Sequence, residues 1–171
     1  DAKKKGASII SINPLIETGM KKFKHPQNPI EMLGFGSKIA DKHLKVKINS
    51  DQALFRALSK SLIESGNVDE IFIDKYTNGY DDYRKVVLES DFNELSDITG
   101  IPLLEILDVG EKVSQSKSTI VCWAMGITQH KNSVSTIQEI VNFLLLGGNI
   151  GKKGAGVCPV RGHSNVQGDR T

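Results

Sequence analysis

Cysteine is scarce: Cys122 and Cys158 are the only two in 171 residues. They form no CxxC pair, and no second pair exists to complete a zinc or iron–sulfur site, so a metal held by these cysteines alone is not expected. Such low usage fits a reducing cytoplasm in which both remain thiols. A long hydrophobic run is also missing. The most apolar stretch, Ile137 to Leu146, is broken by Gln138, Glu139 and Asn142 and is far short of the ~20 residues a bilayer requires. The expectation is a cytoplasmic protein with no leader and no membrane partner. Charge of one sign is absent too, since 22 Lys and Arg stand against 20 Asp and Glu for a net +2. That balance gives no field strong enough to imply a nucleic-acid partner. The basic runs at Lys3 to Lys5 and Lys21 to Lys24 read as solvated faces. Neither GxGxxG nor GxxxxGK[ST] occurs, so the ordinary dinucleotide and P-loop fingerprints are missing. No internal repeat is found.

What is present belongs to a globular protein, with 39% hydrophobic and 25% charged residues. Lys3 to Gly6 resembles the end of a helix, and Ala7 to Ile12 follows as a short β-branched strand. His43 to Ile48 alternates as a second strand. Asp51 to Ser65 places Ala53, Leu54, Ala57, Leu58 and Leu62 at helical spacing, with Ser50 or Asp51 as cap and Gly66 as terminator. Shorter helices are expected at Asp69 to Tyr76, Asp81 to Glu89, Asn93 to Thr99 and Pro102 to Ser114, the last with Pro in its first turn. Thr119 to Met125 is nearly continuous in apolar residues, as buried parallel strands are, and a helix from Ser133 to Leu146 follows it. Strand, glycine, polar turn and helix is βα grammar. The expected fold is α/β, a mostly parallel sheet flanked by helices, Rossmann-like in class, with ligands at the carboxyl ends of strands.

Three loops stand at such ends: Asn13-Pro14-Leu15, Asn49-Ser50-Asp51 and Gly126-Ile127-Thr128-Gln129-His130. A polar side chain there can read a base or ribose, and helix N-terminal amides can bind phosphate. From the loops alone, Asn and Asp before a helix read first as caps. The stretch from Gly147 to Gly168 is more informative. Its seven glycines make an ordered backbone costly, by up to about 1 kcal/mol each, and loops that costly usually carry function. Arg161, His163, Asn165 and Gln167 alternate along it and would face one way if extended. His25, His43 and His130 lack such context and read as structural or surface residues, and Cys122 reads as a small core residue.

Met125-Gly126-Ile127-Thr128-Gln129, the helix ending in Leu146-Gly147-Gly148-Asn149-Ile150-Gly151, and Gly154-Ala155-Gly156-Val157-Cys158-Pro159-Val160-Arg161-Gly162 together resemble the molybdopterin oxidoreductase pattern of formate dehydrogenase alpha subunits. Upstream, Ile12-Asn13-Pro14-Leu15, Pro26-Gln27-Asn28-Pro29-Ile30-Glu31-Met32-Leu33 and Ser50-Asp51-Gln52-Ala53-Leu54 are similar to the same group. The resemblance covers essentially the whole chain. It departs from the pattern at Asn13-Pro14-Leu15, where most of the family has Asp-Pro-Arg, and at His163, where formate dehydrogenases carry Gln.

The resemblance implies an internal piece of a two-electron oxidoreductase in which two molybdopterin guanine dinucleotides bind one molybdenum or tungsten. Residues 1–162 would be the later part of a dinucleotide-binding domain, and 163–171 the start of the connection to the next. It places Asn13, Pro14, Ser50 and Asp51 near a guanosine end, and Met125, Gly126 and Gln129 on the pterin side. Arg161, Gly162 and His163 would reach the metal centre. Arg161 would clamp the substrate and His163 would orient it or move a proton. The metal's protein ligand would lie outside these residues, and the missing N-terminal region could hold an iron–sulfur cluster. Implied partners are the rest of the parent polypeptide, a small substrate such as formate, and an electron-acceptor subunit. By itself the piece would be inactive. A rival reading is a non-catalytic nucleotide-binding module whose Gly-rich tail orders on a partner.

Overall fold

A computed structural model describes residues 2–23 and 37–160 of the chain. The expected sites Arg161, Gly162 and His163, and the stretch Pro26 to Leu33, lie outside the described residues. The chain divides into two compact units, 1–48 and 49–171.

In the first unit, a 3-10 turn at Lys3–Lys5 is closed by Gly6, whose φ of +88° lets its N–H return to the Lys3 carbonyl. The helical ending expected from Lys-Lys-Lys-Gly is thus one tight turn. Strand β1 (Ile10–Ile12) is followed by a single turn α1 (Thr18–Lys21), and an antiparallel pair forms between β2 (Lys22–Phe23) and β3 (Ser37–Lys38). Strand β4 (Lys42–Leu44) runs parallel to β1, with Ile10 opposite Lys42 and Ile12 opposite Leu44. The second strand is therefore shorter than His43 to Ile48, because β1 offers only three residues to pair with. Asp41 fixes the approach to this ladder, accepting from the Ile9 amide at 2.8 Å and pairing with Lys3. The Lys3 side chain, with that amide, holds the Asp41 carboxyl below its ordinary range.

The second unit is built on α2 (Asp51–Glu64). Around it stand α3 (Glu70–Tyr76), α4 (Tyr80–Glu89), α5 (Phe92–Thr99), α6 (Leu103–Ser114), the single turn α7 (Met125–Thr128) and α8 (Ser133–Leu146). Helix α2 packs against α4, α5, α6 and α8. Its Leu54, Ala57, Leu58 and Leu62 are buried, as are Ile106 and Val109 of α6 and Ile140 and Leu144 of α8. The Phe55 and Phe143 rings meet edge to face at 5.5 Å. Local chemistry starts and stops the helices as the sequence indicates. Asp69 accepts the Phe72 amide, Asp91 accepts those of Asn93 and Glu94, and Gly100 ends α5 at φ +70°. Two details differ. Ser50 makes no side-chain cap, and Pro102 occupies the N-cap position of α6 instead of its first turn.

Strand β5 (Ile120–Trp123) pairs in parallel with β6 (Gly156–Pro159). Two expectations are corrected here. Strand β5 is not buried throughout: Ile120 and Cys122 are exposed while Val121 and Trp123 are half-buried, because among the described residues only β6 pairs with it. Nor is the Gly-rich stretch simply a loop. Buried Asn149 anchors it by accepting the Thr119 amide on its Oδ1 at 2.9 Å, which brings residues 156–159 alongside β5. The architecture is mixed α/β with short parallel ladders flanked by helices, and no single continuous sheet forms among the described residues. No helix among them is long and apolar enough to cross a membrane.

Candidate functional site

Parallel pairing makes the second unit's two strands leave the ladder side by side. Trp123 lies opposite Pro159, and its carbonyl accepts the Val160 amide at 2.7 Å. The chain leaving β5 enters α7, where Met125 and Gln129 are four residues apart and share a face, with Gln129 Nε2 3.7 Å from Met125 Sδ. Met125, Gly126 and Gln129 are exposed, and a Cβ built on Gly126 would meet nothing. Glycine at that position is therefore not demanded by the chain's own packing.

A cleft of about 250 Å³ opens at the N-terminal ends of α2 and α8, its apolar wall formed by Ala53, Leu95 and Ile98. Its polar lining comes from Asn49, Ser50, Gln52, Arg56, Ser90 and Asn132. Asn49 adopts φ +66°, a left-handed conformation that Asn tolerates better than most side chains and that turns the chain into α2. Ser50 is buried and Asp51 half-buried. Burial raises the Asp51 carboxyl above its ordinary range, partly opposed by its own backbone amide and by the charge of His130. His130, read from sequence as lacking functional context, is thus electrostatically linked to Asp51.

Asn132 stands at the N-cap of α8 without capping it. Its Nδ2 reaches Gln52 Oε1 at 3.5 Å, and the Ser135 hydroxyl donates to the same oxygen at 3.3 Å. Its Oδ1 is buried and accepts no hydrogen bond from the described residues. An acceptor left in that state costs about 1–3 kcal/mol. The first-turn amides of α2 add donors. Together these groups suit a polar, planar ligand bearing both donors and acceptors.

Behind the cleft wall, Arg56 donates from Nε and Nη2 to the two oxygens of Glu139 at 2.7 Å each, and the Tyr83 hydroxyl donates to Glu139 Oε1 at 2.7 Å. This network ties α2, α4 and α8 together and fixes the guanidinium where it lines the cleft. The pairing with Glu139 raises Arg56 above its ordinary value.

Of the residues expected from sequence, Ser50 and Asp51 sit at this cleft's helix end, while Met125, Gly126 and Gln129 follow β5. Asn13 and Pro14 follow β1 in the other unit, where the Asn13 amide donates to the Leu44 carbonyl at 3.1 Å and prolongs the ladder. Sequence reasoning missed Gln52 and Asn132. The signal available was the polar run His130-Lys131-Asn132-Ser133 just ahead of a helix, facing Ser50-Asp51-Gln52 ahead of another.

The sequence pattern of the molybdopterin oxidoreductase family matches residues 2–170. The chain belongs to the molybdopterin oxidoreductase family. An uncharacterized oxidoreductase of Mycobacterium bovis is 47% identical over 99% of this chain and 23% of its own length. Formate dehydrogenase H of Escherichia coli is 36% identical over 98% of this chain and 21% of its own. Acetylene hydratase from Pelobacter acetylenicus shares the fold with a TM-score of 0.74 at 22% identity, over 90% of this chain and 19% of that one. The chain thus spans less than a quarter of the length of these relatives. Membership of the molybdopterin oxidoreductases implies a molybdopterin cofactor with molybdenum or tungsten, and the cleft has the donors and the unmatched acceptor to fit part of such a group.

Proposed function

We propose that these residues form part of the cofactor cradle of a formate dehydrogenase-like enzyme that oxidises a small substrate by two electrons and binds its pterin as the guanine dinucleotide. The observation that carries this reading is the buried Oδ1 of Asn132, unpartnered among the described residues, on a residue that lines the cleft between two helix ends. A guanine base offers N–H donors to such an oxygen, and a ribose offers hydroxyls. Gln52 stands beside it as a further acceptor, and the α2 amides suit a phosphate. Met125, Gly126 and Gln129 would lie along the pterin, with Gly126 leaving open space for it. Asn13 and Pro14 are proposed at the guanosine end, in keeping with their place at the carboxyl end of β1.

When bound, the molybdenum or tungsten pterin centre supplies the two-electron redox step. Arg161 would grip the anionic oxygens of formate through its planar fork, Gly162 would allow the backbone to approach, and His163 would accept the released proton. The metal's protein ligand, any iron–sulfur cluster and the electron-acceptor partner would come from other parts of the protein or its complex.

The test is formate-dependent dye reduction by the full-length holoenzyme, compared with Arg161→Lys. An ammonium keeps the charge and loses the fork. Turnover per bound metal should fall roughly ten- to a hundred-fold, the equivalent of about 1.5–3 kcal/mol, while metal content stays at the wild-type level. Wild-type turnover per metal in the variant would remove Arg161 from the substrate site.

A further inference from the structure

Cys122 and Cys158 are 36 positions apart in sequence yet directly opposite each other in the β5–β6 register. Paired residues on neighbouring parallel strands point to the same face, and the strands lie about 4.8 Å apart. Both cysteines are free and exposed. No other cysteine occurs in these 171 residues.

We propose that Cys122 and Cys158 form an oxidant-sensitive dithiol which a peroxide converts to a cross-strand disulfide. The spacing permits the bond, since disulfides span Cα separations of about 4.4–6.8 Å. Partial burial, and then the neighbouring Cys158 thiol, push Cys122 above its ordinary value. That direction disfavours the Cys122 thiolate, so the first attack is assigned to Cys158. The Cys158 thiolate displaces hydroxide from hydrogen peroxide and becomes a sulfenic acid. Cys122 then attacks that sulfur, and its proton leaves with the second hydroxide as water. Overall, two thiols and one peroxide give one disulfide and two waters.

The bond would lock the two strands one residue before Trp123 and Pro159, where the chain departs toward Met125 on one side and Arg161 on the other. Oxidation would therefore be felt at the strand ends. The site does not depend on the proposed substrate or cofactor.

The experiment is a titration of the purified protein with hydrogen peroxide, followed by non-reducing mass mapping of the tryptic peptides 118–131 and 154–161. The expected result is a linked peptide pair about 2 Da lighter than the sum of the two, reverting to free thiols with dithiothreitol. Cys122→Ser should give no linked pair and should carry added oxygen, about 16 Da, on the Cys158 peptide. Independent oxidation of each peptide in the wild-type protein, or two thiols that survive peroxide unchanged, would overturn the proposal.

Discussion

Glu139 is held by three donors: two from Arg56 and one from Tyr83, each at 2.7 Å. Its side chain is only 4% exposed, whereas that of Arg56 is 21% exposed. Removing the carboxylate would strand a partly buried guanidinium, with solvent softening the loss below that of a fully enclosed pair. Glu139→Ala should therefore destabilise the fold by about 2–3 kcal/mol, and Glu139→Gln by less. Urea unfolding midpoints check this. Tyr83 gives a pH signature of the same network. Burial, reinforced by the Glu139 charge, raises its hydroxyl far above the ordinary value. A raised folded value means the contribution is complete below the unfolded tyrosine value of about 10 and is lost as pH climbs above it. Wild type should lose more stability between neutral and strongly alkaline pH than Tyr83→Phe does, and equal losses would remove Tyr83 from the network. None of this was legible in the sequence. Arg56 and Glu139 are 83 positions apart, and each alone is an ordinary polar residue on an amphipathic helix. Ser50 and Asp51 could be proposed from sequence because a polar residue ahead of a helix marks a chain position without knowledge of a distant partner.

Helices were the most readable elements, since their caps and apolar spacing are local. Ser133–Leu146 and Asp51–Glu64 fall where 3.6-residue periodicity puts them. Strands were harder. The apolar run at Thr119 to Met125 looked like a buried core strand, but pairing and neighbouring layers decide exposure, and neither is written locally. Helix contacts also rest on fits that sequence does not reveal. A Cβ on Gly110 of α6 would meet Ser61 Oγ of α2 at 2.5 Å and its Cβ at 3.1 Å. Alanine there gains helix propensity, yet overpacking outweighs it, so Gly110→Ala should cost about 1–2 kcal/mol. Pairing it with Ser61→Ala removes the nearer atom and should recover a large part of the loss. A double-mutant cycle on thermal or urea unfolding measures that coupling, and strictly additive effects would contradict the close approach.

At the scale of the molecule, the cleft at the ends of α2 and α8 carries groups that the fold would be better without. Asn132 leaves an acceptor unmatched, and Asp51 is a carboxyl whose folded value is raised by burial. A raised value means its contribution to stability is present below the ordinary carboxyl value of about 3.9 and lost as pH rises past it. Near neutral pH the charged form therefore works against folding. Asp51→Asn should be more stable than wild type at pH 7, with the advantage shrinking toward pH 3. Groups that weaken a fold at or beside a cleft are accounted for when a ligand satisfies them. The most direct measurement is the pterin, guanine and metal content of the purified full-length protein, made for wild type, Asp51→Asn and Asn132→Ala. The account predicts about two guanine-bearing pterins per metal in wild type, following the bis-pterin arrangement of the enzymes this chain resembles. It predicts a several-fold loss of guanine-bearing pterin in both variants, with Asp51→Asn at least as stable as wild type. Full wild-type loading in both would contradict the assignment of this cleft to the cofactor.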